Sequence, residues 1–337
     1  EGSWKRPAKG GDKDTFYVFP YDWRRDNVEN ARLLIRRMDQ LRRALRKPNL
    51  KFNIIAHSMG GLIARYAARF GNVDIPAGAP RPTWAGAKYF DKIFLLGTPN
   101  EGSVGALDVM LNGFSYIGRG LNLPFIQDIS KFDIFTIPSA YQLLPHDGTL
   151  VAYDDKLQPV NIDIYDPKTW EKYNWAVWQD SAFTKKMSPT EQRDAKAFFA
   201  VALTRAKRFQ AALDAPSKAK VPVSFYLMGA DCKDTENALL FLRDEKKDKW
   251  LTIFKPGDYT SADGTKLTDA QLRPLLLAMG DGEVTKRSLT GSTLAENGIR
   301  VSFSPVEDLF QCESHTRLVT NPEIQDKLLT ILAGTAK

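Results

Sequence analysis

Asn53-Ile54-Ile55-Ala56-His57-Ser58-Met59-Gly60-Gly61-Leu62-Ile63-Ala64-Arg65-Tyr66 joins an apolar run to a helical pattern through a serine flanked by small residues. This is the pattern of a nucleophile elbow, a strand-to-helix turn whose serine sits in a strained backbone conformation. Such a turn needs a small residue two positions before the serine and two after it, so that neighbouring backbones can pass closely. Ala56 and Gly60 occupy those positions. The plainer alternative is an ordinary strand, turn and helix with a capping serine. Ala56 replaces the glycine usual at the first small position and keeps its steric logic.

A serine hydroxyl becomes a strong nucleophile only beside a general base, itself oriented by an acid. The chain has three histidines, which makes the search for the base short. His57 is adjacent to Ser58, with its side chain expected to point away and to pack or bond locally. His146 lies in the turn-rich Leu143-Leu144-Pro145-His146-Asp147-Gly148, with no strand to deliver it. His315 follows the strand-like Gly298-Ile299-Arg300-Val301-Ser302-Phe303-Ser304 and lies close to the C-terminus, so it is the expected base. Its plainer reading is a surface histidine capping a helix. Two aspartates compete for the acid. Asp231 follows the apolar run from Val221 to Ala230, and Asp281 sits in Gly280-Asp281-Gly282-Glu283-Val284, where flanking glycines allow a tight turn. Spacing alone leaves both open.

Several segments, in order along nearly the whole chain, resemble the lecithin:cholesterol acyltransferase family of lipases and acyltransferases. They are Phe19-Pro20-Tyr21-Asp22-Trp23-Arg24, Ala56-His57-Ser58-Met59-Gly60-Gly61, Leu96-Gly97-Thr98-Pro99-Asn100-Glu101-Gly102-Ser103, Pro138-Ser139-Ala140-Tyr141-Gln142-Leu143-Leu144-Pro145, Gly280-Asp281-Gly282-Glu283-Val284 and Ser314-His315. The elbow is generic to lipases, whereas the Pro-Tyr-Asp-Trp-Arg, Pro-Ser-x-x-x-Leu-Leu-Pro and Gly-Asp-Gly-x-Val blocks are more specific. The resemblance implies that Asp281 is the acid, giving a triad of Ser58, Asp281 and His315 and leaving Asp231 a structural role. Glu283 and Thr285 depart from the threonine and proline usual in the family. The implied fold is α/β, an α/β hydrolase: a mostly parallel central sheet, helices on both faces and an inserted cap or lid over an acyl-binding cleft. Asp22, Trp23 and Arg24 are then expected to support the site without entering the chemistry.

The order of elements agrees with that fold. An α/β rhythm runs through residues 1–102, with Thr15-Phe16-Tyr17-Val18-Phe19 read as a strand before the elbow strand and Lys92-Ile93-Phe94-Leu95-Leu96 as one after it. Thr98 and Asn100, at the end of that later strand, are expected to contact substrate. From 103 to 220 the rhythm is lost. This cap region holds Trp170, Tyr173, Trp175, Trp178 and Phe183, most of which are expected to fill its own core. It ends in a helix announced by the capping box Ser188-Pro189-Thr190-Glu191, with Phe198, Ala202, Arg205 or Ala206, and Phe209 at helical spacing. Residues 221–337 are expected to complete the sheet and to carry the acid and the histidine. The N–H of Met59 is the expected oxyanion donor, with a second donor on a loop upstream of Glu1, in a segment of the same protein that completes the sheet.

The formal charge of +7 admits nucleic acid, anionic lipid or simple solubility, and no nucleic-acid motif accompanies it. The basic helix from about Asp26 to Arg46 reads as a solvated face packed on a sheet, with transient contact to a lipid surface as the alternative. Cys232 and Cys312 fit a disulfide in an extracytoplasmic or secreted enzyme, or two buried thiols in a cytosolic one. No apolar run reaches the length of a membrane span. The expectation is a serine esterase or lipase acting on lipid or other acyl esters without metal or organic cofactor. Its rivals are an acyltransferase using an alcohol acceptor and an inactive lipid-binding relative.

Overall fold

The structure, a computed structural model, describes residues 15–114, 128–146, 148–217, 220–244, 248–291, 303 and 305–334. The chain divides into two compact units, one of residues 1–100, 209–230 and 289–337, the other of 101–208 and 231–288.

In the first unit, Asp26 accepts from the N–H groups of Val28 and Glu29 and so starts helix α1 (Asn27–Ala44). Val28, Ala31, Ile35, Met38 and Leu41 form its buried face, as the spacing predicts. Arg42 departs from the expected solvated face. It is buried, stacks 4.3 Å above the Tyr89 ring and donates to the carbonyls of Leu50 and Lys88. Strands β1 (Phe52–His57), β2 (Phe90–Leu96), Ser224–Gly229 and Glu307–Phe310 lie in that order in a parallel sheet. Ile93, Phe94, Leu95 and Leu96 are buried one after another, which requires both faces of β2 to be covered. On one face Phe94, Leu96 and Met228 pack with Ile324, Leu328 and Ile331 of the helix Pro322–Leu332.

One expected strand needs correction, and a second lies outside the described residues. Residues 15–22 adopt no regular secondary structure. The Thr15–Phe19 run has strand-prone side chains, but no ladder among the described residues includes it. The stretch 298–304 falls outside the described residues except Phe303, and the strand leading to His315 is Glu307–Phe310.

The second unit corrects the expectation that residues 221–337 group with the sheet, because 231–288 builds its own pairings. Ala238–Asp244 pairs in parallel with Val151–Tyr153 and antiparallel with Lys249–Ile253, and Lys233–Glu236 pairs with Leu277–Gly280. The expected capping box forms: the Ser188 N–H and hydroxyl both donate to Glu191 Oε2 at 2.8 Å, and the Glu191 N–H donates to Ser188 Oγ at 3.3 Å. In the helix that follows, Pro189–Asp214, the expected Ala206 and Phe209 are buried, whereas Phe199 and Leu203 are buried in place of the expected Phe198 and Ala202. The shift follows the surrounding rings: Phe199 stacks on Phe135 at 5.6 Å and meets Trp170 edge-on at 5.0 Å. Trp170, Tyr173, Trp175 and Phe183 are buried in this unit's own core. Among the described residues no helix is long and apolar enough to cross a membrane.

Candidate active site

β1 ends at His57 and helix α2 (Met59–Phe70) begins at Met59, so Ser58 alone makes the turn. Its φ of 54° and ψ of −129° lie where a residue with a side chain is strained, at a cost of about 1–3 kcal/mol. The turn is held by the Ser58 N–H donating to the Leu96 carbonyl at 2.8 Å and the Gly61 N–H donating to the Ser58 carbonyl at 3.0 Å. Met59 opens the helix, so its N–H is one of the donors that a helix leaves without an intrahelical acceptor.

The steric demand falls on a different glycine from the expected one. A Cβ on Gly60 would meet only the Tyr21 hydroxyl at 3.8 Å and the Ala56 Cβ at 4.0 Å, which are ordinary contacts. On Gly61 it would overlap the Thr98 side chain. Thr98, expected to contact substrate, is fully buried in that packing. Asn100 is buried too: its Oδ1 accepts from Arg65 Nη1 at 2.9 Å and its Nδ2 donates to the Leu289 carbonyl at 2.6 Å.

His315 opens a short helical turn, His315–Thr320, after the strand Glu307–Phe310. Its Nε2 lies 2.9 Å from Ser58 Oγ. When Nε2 accepts the hydroxyl proton, the ring's own proton sits on Nδ1. The ring is mostly buried, which limits competition from water. His57 makes a long-range contact: its Nε2 lies 2.9 Å from the carbonyl oxygen of His315, 258 residues away. His146 is buried in the second unit, where its N–H donates to the Glu101 carbonyl at 3.4 Å.

Both candidate acids belong to the second unit, and their surroundings differ. Asp281 is buried, and its Oδ1 accepts from the N–H groups of Glu283 at 3.0 Å and Val284 at 2.8 Å. The flanking glycines serve this turn: Gly282 adopts φ +96°, and a Cβ on Gly280 would overlap the Val284 carbonyl. At the departing positions, Glu283 offers its backbone carbonyl to the Ser103 hydroxyl at 2.9 Å, and Thr285 Oγ1 accepts from the Ser288 N–H at 3.1 Å. Asp231 instead forms an exposed ion pair with Lys286 at 2.7 Å.

Asp22 and Arg24 pair with each other at the surface, Nε to Oδ1 and Nη2 to Oδ2, both at 2.9 Å. Those hydrogen bonds hold the Asp22 carboxyl down at about 2. Trp23 is about half exposed. The member of this block that approaches the elbow is Tyr21, whose phenol is pushed up by burial. Sequence reasoning passed over it, although it stands in the same motif.

It also passed over Arg65 and Arg69, four residues apart on an otherwise apolar helix and both fully buried. Arg65 Nη2 donates to the Leu213 carbonyl at 3.0 Å, with its guanidinium 4.4 Å above the Phe303 ring; Arg69 donates to the Ala215 carbonyl. Loss of water lowers them to about 9 and about 10, with Asp214 pulling the other way. Both remain cations at neutral pH, placed against carbonyls at the end of the helix Pro189–Asp214, where positive charge is favourable. Cys232 and Cys312 are both disulfide-bonded.

Residues 8–174 match the sequence model of a family described as Lecithin:cholesterol acyltransferase. No curated protein sequence matches the chain. Among solved structures, a chain of the crystal structure of the Tle4-Tli4 complex aligns at TM-score 0.51 and 14% identity, over 96% of this chain and 75% of that one. The mature lipase BlEst2 of Bacillus licheniformis aligns at TM-score 0.34 and 10% identity, over 91% of this chain and 75% of that one. The first likeness concerns fold alone. Taken with the parallel sheet and the serine turn, the fold is that of an α/β hydrolase.

Proposed function

Because residues 8–174 match the lecithin:cholesterol acyltransferase family, we propose that this chain is a serine esterase or lipase that cleaves lipid-type acyl esters through an acyl-enzyme. Family and fold support lipid-ester hydrolysis or acyl transfer as the general class; the serine chemistry is the finer reading. The observation that carries it is the 2.9 Å approach of His315 Nε2 to Ser58 Oγ at a strained strand-to-helix turn.

In this mechanism Ser58 Oγ attacks the ester carbonyl carbon while its proton passes to His315 Nε2. The carbonyl electron pair moves onto oxygen, where the Met59 N–H stabilises the charge. Collapse breaks the bond to the alcohol, which leaves with the proton from His315. Water then attacks the acyl-Ser58 ester, His315 takes and returns a proton in the same way, and the carboxylic acid departs. Asp281 is assigned to orient the imidazole and to stabilise its charged form, a role that a buried carboxylate fixed by two backbone donors suits better than an exposed one already paired with lysine. The disulfide-bonded cysteines support an oxidising, extracytoplasmic location.

Treatment with a fluorophosphonate followed by intact-mass measurement tests the reading. A single adduct, lost in Ser58→Ala, is the expected result. An unmodified folded protein would favour a lipid-binding role, and a Ser58→Ala variant that still hydrolyses nitrophenyl esters would remove the serine from the chemistry. Release of fatty acid, as opposed to its transfer to a supplied alcohol, separates hydrolysis from acyl transfer.

A further inference from the structure

His57 and Ser58 are consecutive residues, and both reach His315. Ser58 Oγ meets the imidazole Nε2 at 2.9 Å, and His57 Nε2 meets the backbone oxygen of the same residue at 2.9 Å. A carbonyl oxygen only accepts, so His57 Nε2 must carry a hydrogen and donate it. The two rings lie 4.6 Å apart and tilted by 42°, close enough to limit each other's rotation. His57 is itself placed by β1, whose last pairing sets it opposite Leu96 of β2. Two strands lie between β1 and the strand that leads to His315, so the chain after Phe310 must travel back to reach the serine.

These two bonds differ in what the reaction does to them. The bond from Ser58 to His315 is lost once Ser58 Oγ is esterified, because the hydroxyl proton has left with the alcohol. The bond from His57 to the His315 carbonyl involves no reacting atom and survives acylation. We propose, on the serine-hydrolase reading above, that His57 is a positioning residue that keeps His315 in range during the acyl-enzyme stage, when it must activate the incoming water. A displacement of the base by about 1 Å costs on the order of 10²-fold in rate, so a latch at its backbone governs deacylation more than binding.

The test compares three variants by stopped-flow hydrolysis of a short nitrophenyl ester, with intact mass to measure acyl-enzyme. His57→Phe keeps a ring and removes the donor. His57→Gln restores an N–H at a position like that of Nε2. His57→Asn carries the same amide on a shorter arm, and so serves as the donor-less comparison if His57→Phe does not fold. The expected result is a kcat about 10–100-fold lower in His57→Phe and His57→Asn, with KM nearly unchanged or lower, acyl-enzyme accumulating, and recovery to within several-fold of wild type in His57→Gln. Folded His57→Phe or His57→Asn with wild-type deacylation would overturn the proposal, as would equal losses in the glutamine and asparagine variants. Fluorophosphonate labelling of the wild type separates the two levels. If Ser58 is not labelled, the serine reading itself fails; if it is labelled while the His57 variants deacylate normally, only the latch fails.

Discussion

Thr98 occupies the volume that a side chain at residue 61 would need: a Cβ built on Gly61 overlaps the threonine's Oγ1, Cγ2 and Cβ. Thr98 is fully buried and has nowhere to retreat. Gly61→Ala should therefore destabilise the protein by about 1–3 kcal/mol through overpacking behind the serine turn. Gly60→Ala should be tolerated, since its Cβ meets nothing closer than 3.8 Å. Urea unfolding midpoints of the two variants check the contrast, and equal losses would contradict it.

Arg65 ties the elbow helix to Asn100 Oδ1 and to the Leu213 carbonyl. Arg65→Met should leave both acceptors without that donor in a water-poor site, at about 1–3 kcal/mol for each. Arg65→Lys should recover little of the loss, because an ammonium lacks the planar fork that serves two acceptors at once. Chemical denaturation of both variants gives the comparison, and full rescue by lysine would mean that charge alone suffices.

Phe199 and Phe198 are neighbours with different fates, the first fully buried and the second 36% exposed. Phe199→Ala should cost about 3–5 kcal/mol, the usual range for emptying a buried aromatic site. Phe198→Ala should cost much less. Thermal unfolding of the pair tests the helix register, and the opposite ranking would restore the periodicity expected from sequence.

Asp281→Asn should lower kcat by about 10³–10⁴-fold if Asp281 orients the base, as a wrong tautomer does in serine hydrolases. Asp231→Asn should change kcat little, because an exposed ion pair such as that with Lys286 contributes only about 0–1 kcal/mol. Ester hydrolysis by the two variants decides between them, and the reverse order would transfer the role to Asp231.

Thiol titration of the denatured protein should find no free thiol before reduction and two per chain after it, since both cysteines are disulfide-bonded. Two reactive thiols in freshly isolated protein would remove the support for an oxidising compartment.

The elements that could be read in advance are those written in local spacing. The capping box at Ser188 and the apolar face of α1 announce helices, and the small residues around Ser58 announce the turn, because each depends on groups only a few residues apart. Thr15–Phe19 shows the limit of such reading: its side chains are β-prone, yet residues 15–22 adopt no regular secondary structure. The helix Pro189–Asp214 shows another, since two aromatic residues in succession leave its buried side open by one position until the rings of Phe135 and Trp170 select Phe199.

The sequence by itself determined the alternation of strand and helix and the strained position of Ser58. Only the tertiary structure decided that Gly61 is the glycine the turn requires, that Arg65 and Arg69 are buried, and that His57 binds the backbone of the residue whose ring meets Ser58. The first group rests on sterics and periodicity among near neighbours. The second rests on contacts between residues tens to hundreds of positions apart, which exist only once the chain has folded to bring them together.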